Sequence, residues 1–221
     1  MQHTIFISCP CTTASRQLLD AAGENLVGVG LVGIGTEKID GCNIFPGSSH
    51  PLMQPVWPDG SPSAVSGGSA AAHGLYQVAQ KSGKLTVIAT GPLTDIALCL
   101  CAHPELPQFV EQLLILGGSD SYGDITPAAE RNFYNDPEAA QLVLKSGIPI
   151  VLFALNTTRD LPAPSLCPLR YLQEPGAFTL EPAGVYVETK GTITRGKSVN
   201  DLYSDKQFPT KNVLFVTAMA T

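Results

Sequence analysis

Short apolar runs rich in Val, Ile, Leu and Phe alternate along the chain with segments of helical periodicity. This alternation is typical of a mostly parallel sheet flanked by helices. Several runs are apolar on both faces, as buried parallel strands are. The predicted strands cover residues 4–8, 26–34, 85–89, 113–116, 148–155, 184–188 and 213–217. We therefore expect an α/β fold.

The clearest predicted helix begins after Asp136. Aspartate is a favourable N-cap, and Pro137 suits the first helical position. Glu138 lies in the first turn, where a carboxylate interacts well with the helix dipole. Gly147 lies just past the expected end, where glycine commonly terminates a helix. The pattern predicts one amphipathic helix that leads directly into a strand.

Residues 41–68 show little periodicity and are dense in Pro, Gly and Ser. This composition predicts a loop. Loops of such length are uncommon in compact domains unless they are functional or packed on something. We expect one long loop between the second and third predicted strands.

The composition is typical of a single domain over residues 1–221. A chain of 221 residues with 44% apolar residues can bury one sizeable core and does not require a second. No apolar run approaches the roughly 20 residues that span a bilayer, and the N-terminus has no pattern of a secretion signal or transit peptide. We therefore expect no membrane partner.

The charged residues argue against nucleic acid and favour a protein partner. The formal net charge is -6 and Lys and Arg form no cluster, whereas binding to a phosphate backbone needs dense positive charge. Only 14% of residues are charged, against about 25% in an average domain. We expect other protein subunits to cover part of the surface.

Six cysteines without a secretion signal indicate reduced thiols. The expected location is an intracellular reducing compartment, cytoplasm or mitochondrial matrix, and the chain is not expected to be secreted. Cys9 with Cys11 and Cys99 with Cys101 could form a four-thiolate zinc site. Cys99 and Cys101 fall in a predicted helix, however, where residues two apart point to different faces. Buried reduced cysteines are the favoured interpretation.

Three ordered segments carry a family resemblance. They are GPLTDIAL at 91–98, LGGSDSYGDITPAAERNFYNDPEAA at 116–140 and VETKGTITRG at 187–196. In this order the segments resemble the signatures of the inosine-uridine preferring nucleoside hydrolases, and weaker similarity extends over most of the chain. The resemblance implies a Rossmann-like, mostly parallel sheet flanked by helices. It also implies removal of a base from ribose by a calcium-bound water.

The resemblance also indicates that the calcium site is lost. In the family a DTDPGIDD-type segment ends the first strand, and its aspartates bind the ion and deprotonate the water. The corresponding residues 7–14 read ISCPCTTA, so only Pro10 survives and every carboxylate is gone. Thr90 matches a position whose backbone carbonyl touches the ion. Since calcium affinity depends largely on charged carboxylates, we expect no metal and no cofactor.

The family's general acid is missing by the same comparison. An HDP motif supplies the histidine that protonates the departing base, and here Pro164 and Ser165 stand at the His and Asp positions. The four histidines of the chain fall outside this motif, and they are His3, His50, His73 and His103. We therefore predict that the chain has no catalytic residue.

Two ribose-side residues persist in the second segment and a third is changed. Glu130 and Asn132 match the family's EFN pair, which hydrogen-bonds ribose hydroxyls, and Asp124 stands where the family has an asparagine. An acid and an amide together can bind vicinal hydroxyls. Alternatively, Glu130 and Asn132 satisfy buried backbone groups in a tight loop. Both interpretations remain open at this point.

Pieces of the family pattern are absent from the chain. A flanking helix is missing between Gly35 and Cys42, and several helices are missing after residues 156–158, where Pro164 follows almost at once. Helices removed from the flank of a parallel sheet uncover apolar strand faces, which are either interaction surfaces or aggregation hazards.

Three functions follow as hypotheses. The chain is a structural subunit that has lost N-ribohydrolase catalysis, or a module that binds a ribosyl small molecule without cleaving it. The third hypothesis is an active N-ribohydrolase with ligands from another chain or from Asp20, Asp40 or Asp59. The missing carboxylates and the missing acid favour the first.

Overall fold

A mixed β-sheet forms the centre of the fold. The computed structural model describes residues 5–10, 13–23, 26–32, 43–46, 70–202 and 211–220. The strands in these ranges are β1 (Ile5–Pro10), β2 (Leu26–Val32), β3 (Asn43–Pro46), β4 (Leu85–Ala89), β5 (Val110–Leu116), β6 (Ile150–Phe153), β7 (Phe178–Val187), β8 (Ser198–Asp201) and β9 (Val213–Met219).

Helices flank this sheet on both faces. They are α1 (Thr13–Ala22), α2 (Ala70–Ser82), α3 (Thr94–Ala102), α4 (Arg131–Asn135), α5 (Pro137–Leu144), α6 (Leu155–Thr158) and α7 (Cys167–Gln173). None of the described helices is long and apolar enough to cross a membrane.

The strand order is β3-β2-β1-β4-β5-β6-β9-β7-β8. The strands from β3 to β9 in this order pair in parallel, whereas β7 runs antiparallel to both β9 and β8. The first six strands have the 3-2-1-4-5-6 order of a doubly wound sheet. The predicted α/β fold with a mostly parallel sheet is therefore confirmed.

The central strands are buried on both faces because alternate residues enter two separate cores. On β4, Val87 packs in the core beneath α2, α3 and α5, while Ile88 packs in the core beneath α1 and α7. Tyr171 of α7 lies edge-on to Phe153 and Phe178, with ring centroids 5.8 and 5.6 Å away. In the described part of the chain α1 and α7 thus cover the central strands of the second face. Leu214 at the end of that face stays 40% exposed.

The predicted signals of the clearest helix are confirmed in α5. Asp136 is its N-cap and accepts a hydrogen bond from the backbone N–H of Ala139 at 3.0 Å, and Pro137 is the first helical residue. The helix ends at Leu144, and Gly147 follows with a positive φ of 81°. Here local sequence preference and tertiary structure agree.

Other sequence predictions differ from the structure at their boundaries. Strand β4 has the predicted bounds, but β5 begins three residues earlier and β7 begins at Phe178. Strand β3 lies inside the predicted loop at 41–68, and β8 was not predicted. Residues 41, 42 and 47–68 of that predicted loop lie outside the described residues. Both β3 and β8 are short strands at the edges of the sheet. Because each pairs on one side only, its sequence shows a weak apolar pattern.

Candidate functional site

The candidate site lies at the carboxyl edge of the sheet. Strand order reverses direction between β1 and β4, and in open α/β sheets ligands bind outside the carboxyl ends of the strands at such a switch point. Thr90 directly follows β4, and its backbone N–H donates to the Ser8 carbonyl of β1 at 2.9 Å. The loops that follow β5 and β6 continue this edge.

Glu130 is the best-anchored polar side chain of the site. It is the N-cap of α4 and is 7% exposed. Its Oε1 accepts from the backbone N–H of Asn132 at 2.9 Å, and its Oε2 accepts from Gly118 at 2.9 Å and Phe133 at 3.1 Å. Burial raises the pKa of Glu130 to about 7, against the lowering effect of these three N–H groups. One carboxyl group thus connects the end of β5 to the start of α4.

Asn132 connects two neighbouring strand ends. Its Nδ2 donates to the backbone carbonyls of Leu116 at 2.9 Å and Thr90 at 3.2 Å. The Thr90 carbonyl, which the family resemblance places next to calcium, therefore already accepts a protein hydrogen bond. Among the described residues, the buried hydroxyls of Thr90 and Ser8 have no hydrogen-bond partner.

Asp124 lies on the exposed loop that precedes α4. Its Oδ1 accepts from the backbone N–H of Arg131 at 2.8 Å, so its carboxylate also stabilises the start of that helix. Asp124 is close enough to Glu130 to contribute to the raised pKa of the Glu130 carboxyl, after burial. The structure therefore brings Asp124, Glu130, Asn132 and Thr90 together.

Two cations hold the loop that carries Asp124, and sequence reasoning missed both. Arg159 donates through Nη2 to the carbonyls of Tyr122 at 3.0 Å and Gly123 at 3.2 Å, and its guanidinium lies 4.0 Å from the Tyr122 ring centroid. Lys197 donates to the carbonyl of Ser121. Arg159 directly follows α6 and Lys197 directly precedes β8, so a single sequence offers no local signal that they meet this loop.

A cavity of about 280 Å³ opens beside Glu130. Its apolar wall consists of Leu116, Phe153, Leu155 and Pro164, and its polar wall includes Asp124, Glu130, Thr158 and Arg159. The mixture of carboxylates, a hydroxyl and a guanidinium can both accept and donate hydrogen bonds. Apolar side chains with a few convergent polar groups are typical of a small-molecule site.

The positions of the family's acid and calcium ligands are only partly described. Pro164 lines the cavity and Ser165 is buried beside it. Ile7 is buried in the core beneath α1 and α7. For residues 9, 10, 13 and 14 the structure describes the backbone alone, and residues 11 and 12 lie outside the described residues.

Other sequence candidates lie away from this cavity or outside the described residues. Asp20 is exposed near the C-terminal end of α1, which leads away from the carboxyl edge. Asp40, Asp59, His3 and His50 lie outside the described residues. His103 stacks on Tyr76 with ring centroids 3.6 Å apart, and the ring of His73 lies 6.5 Å from that of His103.

The second cysteine pair confirms the prediction that the two thiols point to different faces, but the prediction of buried cysteines is wrong for Cys101. Cys99 is buried in α3 while Cys101 is exposed, so the two thiols point to different faces of the helix. Burial raises the pKa of Cys99 to about 12, which keeps its thiol protonated. The described residues contain no group of three or more His, Cys, Asp or Glu that could hold a metal ion.

Comparison with known proteins gives one family. The model of the family described as inosine-uridine preferring nucleoside hydrolase matches residues 11–168. The chain is 34% identical over 196 residues to the pyrimidine-specific ribonucleoside hydrolase RihA of Shewanella woodyi, covering 69% of this chain and 62% of that protein. It is 34% identical over 161 residues to RihA of Salmonella choleraesuis, covering 54% of this chain and 52% of that protein. The chain thus spans between half and two thirds of these curated relatives.

Solved structures share the fold at low sequence identity. A plant nucleoside hydrolase, PpNRh1, superposes with a TM-score of 0.75 at 16% identity, covering 99% of this chain and 95% of that chain. The purine-preferring ribonucleoside hydrolase from Gardnerella vaginalis superposes with a TM-score of 0.75 at 18% identity, covering 97% and 93%. At such identity the likeness describes the fold alone.

Proposed function

Since the chain belongs to the inosine-uridine preferring nucleoside hydrolase family, we propose that it keeps the family's scaffold without its hydrolytic chemistry and serves as a structural subunit of a larger assembly. The observation that carries this proposal is the hydrogen bonding of Glu130. Both of its carboxylate oxygens accept from backbone N–H groups, three in all, so the side chain is engaged in holding the loop and α4 together. A residue that resembles a ribose ligand has a structural role here.

The described lining of the cavity includes no histidine that could protonate a departing base. General acid catalysis needs a proton donor within hydrogen-bond reach of the leaving group. Pro164, at the position of the family's histidine, has no side-chain proton to give, and the hydroxyl of Ser165 is a far weaker acid than an imidazolium. Glu130 lines the cavity, but both of its carboxyl oxygens are engaged by backbone N–H groups, which supports a structural role for it rather than that of a replacement acid. These contacts support loss of the acid step.

The donors described around Thr90 do not fit a calcium ion. They are the buried hydroxyls of Ser8 and Thr90 and the Thr90 carbonyl, which already accepts from Asn132. Calcium in proteins is held by six to eight oxygens, and its affinity rises with the number of carboxylates. Neutral hydroxyls are a weak substitute. This donor set supports the proposal that the family's ion has no part in this chain's function.

The subunit role is supported by composition and by surface. The chain has few charged residues for its size, at 14%. Large apolar side chains are exposed on the described surface at Leu98, Leu142 and Leu214. Exposed apolar patches with few charges are typical of interaction surfaces.

A second candidate function is binding of a ribosyl ligand without cleavage. The cavity beside Glu130 favours it, because Asp124, Thr158 and Arg159 line that cavity and can hydrogen-bond sugar hydroxyls. Ligand binding to the folded state alone would raise the melting temperature by mass action. An active N-ribohydrolase is the third candidate. It would require carboxylate groups placed close to Thr90.

Hydrolysis of inosine and uridine with added calcium tests the proposal directly. We expect no turnover above background for the purified chain. Turnover at the rate of an ordinary enzyme, lost in Asp124→Ala and Glu130→Ala but kept in the control Glu111→Ala at the opposite edge of the sheet, would contradict the proposal. Stabilisation by ribose or inosine in the presence of EDTA, without turnover, would instead favour the binding module.

A further inference from the structure

Arg159 lines the cavity beside Glu130 as a cation without an acidic partner in the described part of the chain. Its Nη2 donates to the carbonyls of Tyr122 at 3.0 Å and Gly123 at 3.2 Å, and its guanidinium lies 4.0 Å from the Tyr122 ring centroid. Among the described residues, no acceptor bonds to its Nε or Nη1. The loop therefore holds one side of the guanidinium, and the donors on Nε and Nη1 are left for a ligand.

This guanidinium is suited to an anionic group. Arg159 is partly buried, and a charge taken out of water is unfavourable unless an opposite charge pairs with it. Arginine presents its N–H donors in a planar fork that matches the oxygens of phosphate and carboxylate groups. Since the loop already holds the side chain in place, binding of an anion would require little further ordering. An anionic group of a ligand therefore fits at Arg159.

The other polar groups of the cavity wall are acceptors. Asp124 accepts one backbone N–H through Oδ1, and its Oδ2 has no donor in the described part of the chain. Oε1 of Glu130 accepts a single N–H, so it keeps a lone pair for a ligand. The Thr158 hydroxyl donates to the Ala154 carbonyl at 3.1 Å and can accept from a ligand. Because carboxylates repel a bare anion, the ligand needs hydroxyl or ammonium donors in addition to its anionic group.

The size and the apolar wall of the cavity limit the ligand further. The cavity has a volume of about 280 Å³, whereas pockets for drug-sized molecules measure about 300–1,000 Å³. Leu116, Phe153, Leu155 and Pro164 form its apolar wall. A ligand that fits is therefore small, with an apolar face as well as hydrogen-bonding groups. A monosaccharide has this character, because its C–H groups and its hydroxyls project on different sides of the ring.

Hydroxyl donors fit Glu130 better than an ammonium group does. Burial raises the pKa of Glu130 to about 7, so part of the population is protonated near neutral pH. A hydroxyl can donate to the ionised carboxyl and accept from the protonated one, whereas an ammonium can only donate. A sugar with an anionic group is thus favoured over an amino acid, which also combines donors with an anion.

We propose that the cavity binds a monosaccharide with an anionic group at one end, a sugar phosphate or a sugar acid, whose hydroxyls bind Asp124 and Glu130 and whose anion binds Arg159. Anion binding at Arg159 rests on the second candidate function, binding without cleavage, and names the class of its ligand. Turnover of inosine would contradict the loss of catalysis alone. Equal affinity for neutral and anionic sugars would contradict the anion site alone.

Isothermal titration calorimetry of the full chain in EDTA tests the ligand class. The probes are ribose, ribose 5-phosphate and ribonate, with inorganic phosphate and serine as controls. We expect one anionic sugar to bind at least about tenfold more tightly than ribose, since a charge-assisted hydrogen bond is stronger than a neutral one. The tighter of the two identifies phosphate or carboxylate as the anion. Binding of inorganic phosphate or serine as tight as that of the anionic sugars, or no binding of either anionic sugar at millimolar concentration, would overturn the proposal.

Substitution of Arg159 tests where the anion binds. In Arg159→Gln the preference for the anionic sugar over ribose should fall to about twofold or less, because the charge is lost. Arg159→Lys keeps the charge without the planar fork and should give an intermediate preference. Lys197→Gln is the matched control, because Lys197 donates to the Ser121 carbonyl of the same loop but lies outside the cavity wall.

The ratio of the two affinities separates anion binding from a structural effect on the loop. A displaced loop would weaken ribose and the anionic sugar together and leave their ratio unchanged. Thermal unfolding followed by circular dichroism verifies that each variant folds. A preference that survives Arg159→Gln, or one that Lys197→Gln abolishes equally, would overturn the assignment of the anion to Arg159.

Discussion

Glu130 accepts a hydrogen bond through Oε2 from the backbone N–H of Gly118 at 2.9 Å, across the gap between β5 and α4. The same carboxylate caps α4 through Asn132 and Phe133. We expect Glu130→Ala to lower the free energy of unfolding by about 2–4 kcal/mol, because it removes a helix cap and leaves buried N–H groups without acceptors. Urea unfolding measures the loss. Asp124→Ala, at an exposed acceptor of one N–H, is the control and should cost less than about 1 kcal/mol.

The raised pKa of Glu130 predicts a specific dependence of stability on pH. Its pKa is about 7 in the folded chain, raised by burial, against 4.5 for an unperturbed glutamate. Between these values the folded state holds a proton that the unfolded state has lost, so stability should fall as pH rises from 4.5 and level off above 7. The loss amounts to about 3 kcal/mol.

Comparison with Glu130→Gln isolates this effect from other titrating groups. The free energy of unfolding of the wild type minus that of the variant should decrease from pH 4.5 to pH 8. Urea unfolding at half-unit steps of pH measures this difference. A difference that stays constant over this interval would show that Glu130 titrates at its ordinary pKa.

Arg159 is expected to stabilise the loop at the cavity rather than the global fold. It donates to the Tyr122 and Gly123 carbonyls and lies over the Tyr122 ring. Arg159→Ala should make amide hydrogen exchange of residues 121–126 at least about tenfold faster, because the loop would lose two charge-assisted hydrogen bonds. Arg159→Lys keeps the charge but not the planar guanidinium and should give an intermediate rate. Unchanged exchange in Arg159→Ala would show that Lys197 alone holds the loop.

The sequence predicts most of the fold because local signals and buried periodicity coincide in the central strands. Strand β4 is apolar at every position but one and has the predicted bounds, and the N-cap at Asp136 requires no tertiary information. Strand β7 was predicted too short. Its first half pairs with β9 but leaves Thr179, Glu181 and Pro182 exposed, so it lacks a continuous apolar run. The first half of this strand is defined by its backbone pairing with β9 and not by a run of apolar residues.

The candidate site was predictable to a smaller extent. The family resemblance identified Asp124, Glu130 and Asn132, and the structure brings them to one edge of the sheet. The sequence could not show that the Glu130 carboxylate is surrounded by three N–H groups, because Gly118 lies 12 residues away along the chain. Arg159 acts 36 residues from Gly123, and such contacts arise only when parallel strands align their carboxyl ends.

Two glycines have the same backbone conformation but different surroundings, so alanine substitutions at them distinguish backbone strain from steric clash. Gly147 and Gly196 both have a φ of 81°, in the left-handed region that side chains disfavour. A Cβ at Gly147 meets nothing within 4 Å, whereas a Cβ at Gly196 would lie 2.6 Å from Cα of Tyr134. We expect Gly147→Ala to lower the free energy of unfolding by about 1–2 kcal/mol through backbone strain alone. Gly196→Ala should cost a further 1–3 kcal/mol or so, because the 187–196 segment must move away from α4. Urea unfolding of both variants measures the difference, and equal losses would show that this segment does not press on Tyr134 in solution.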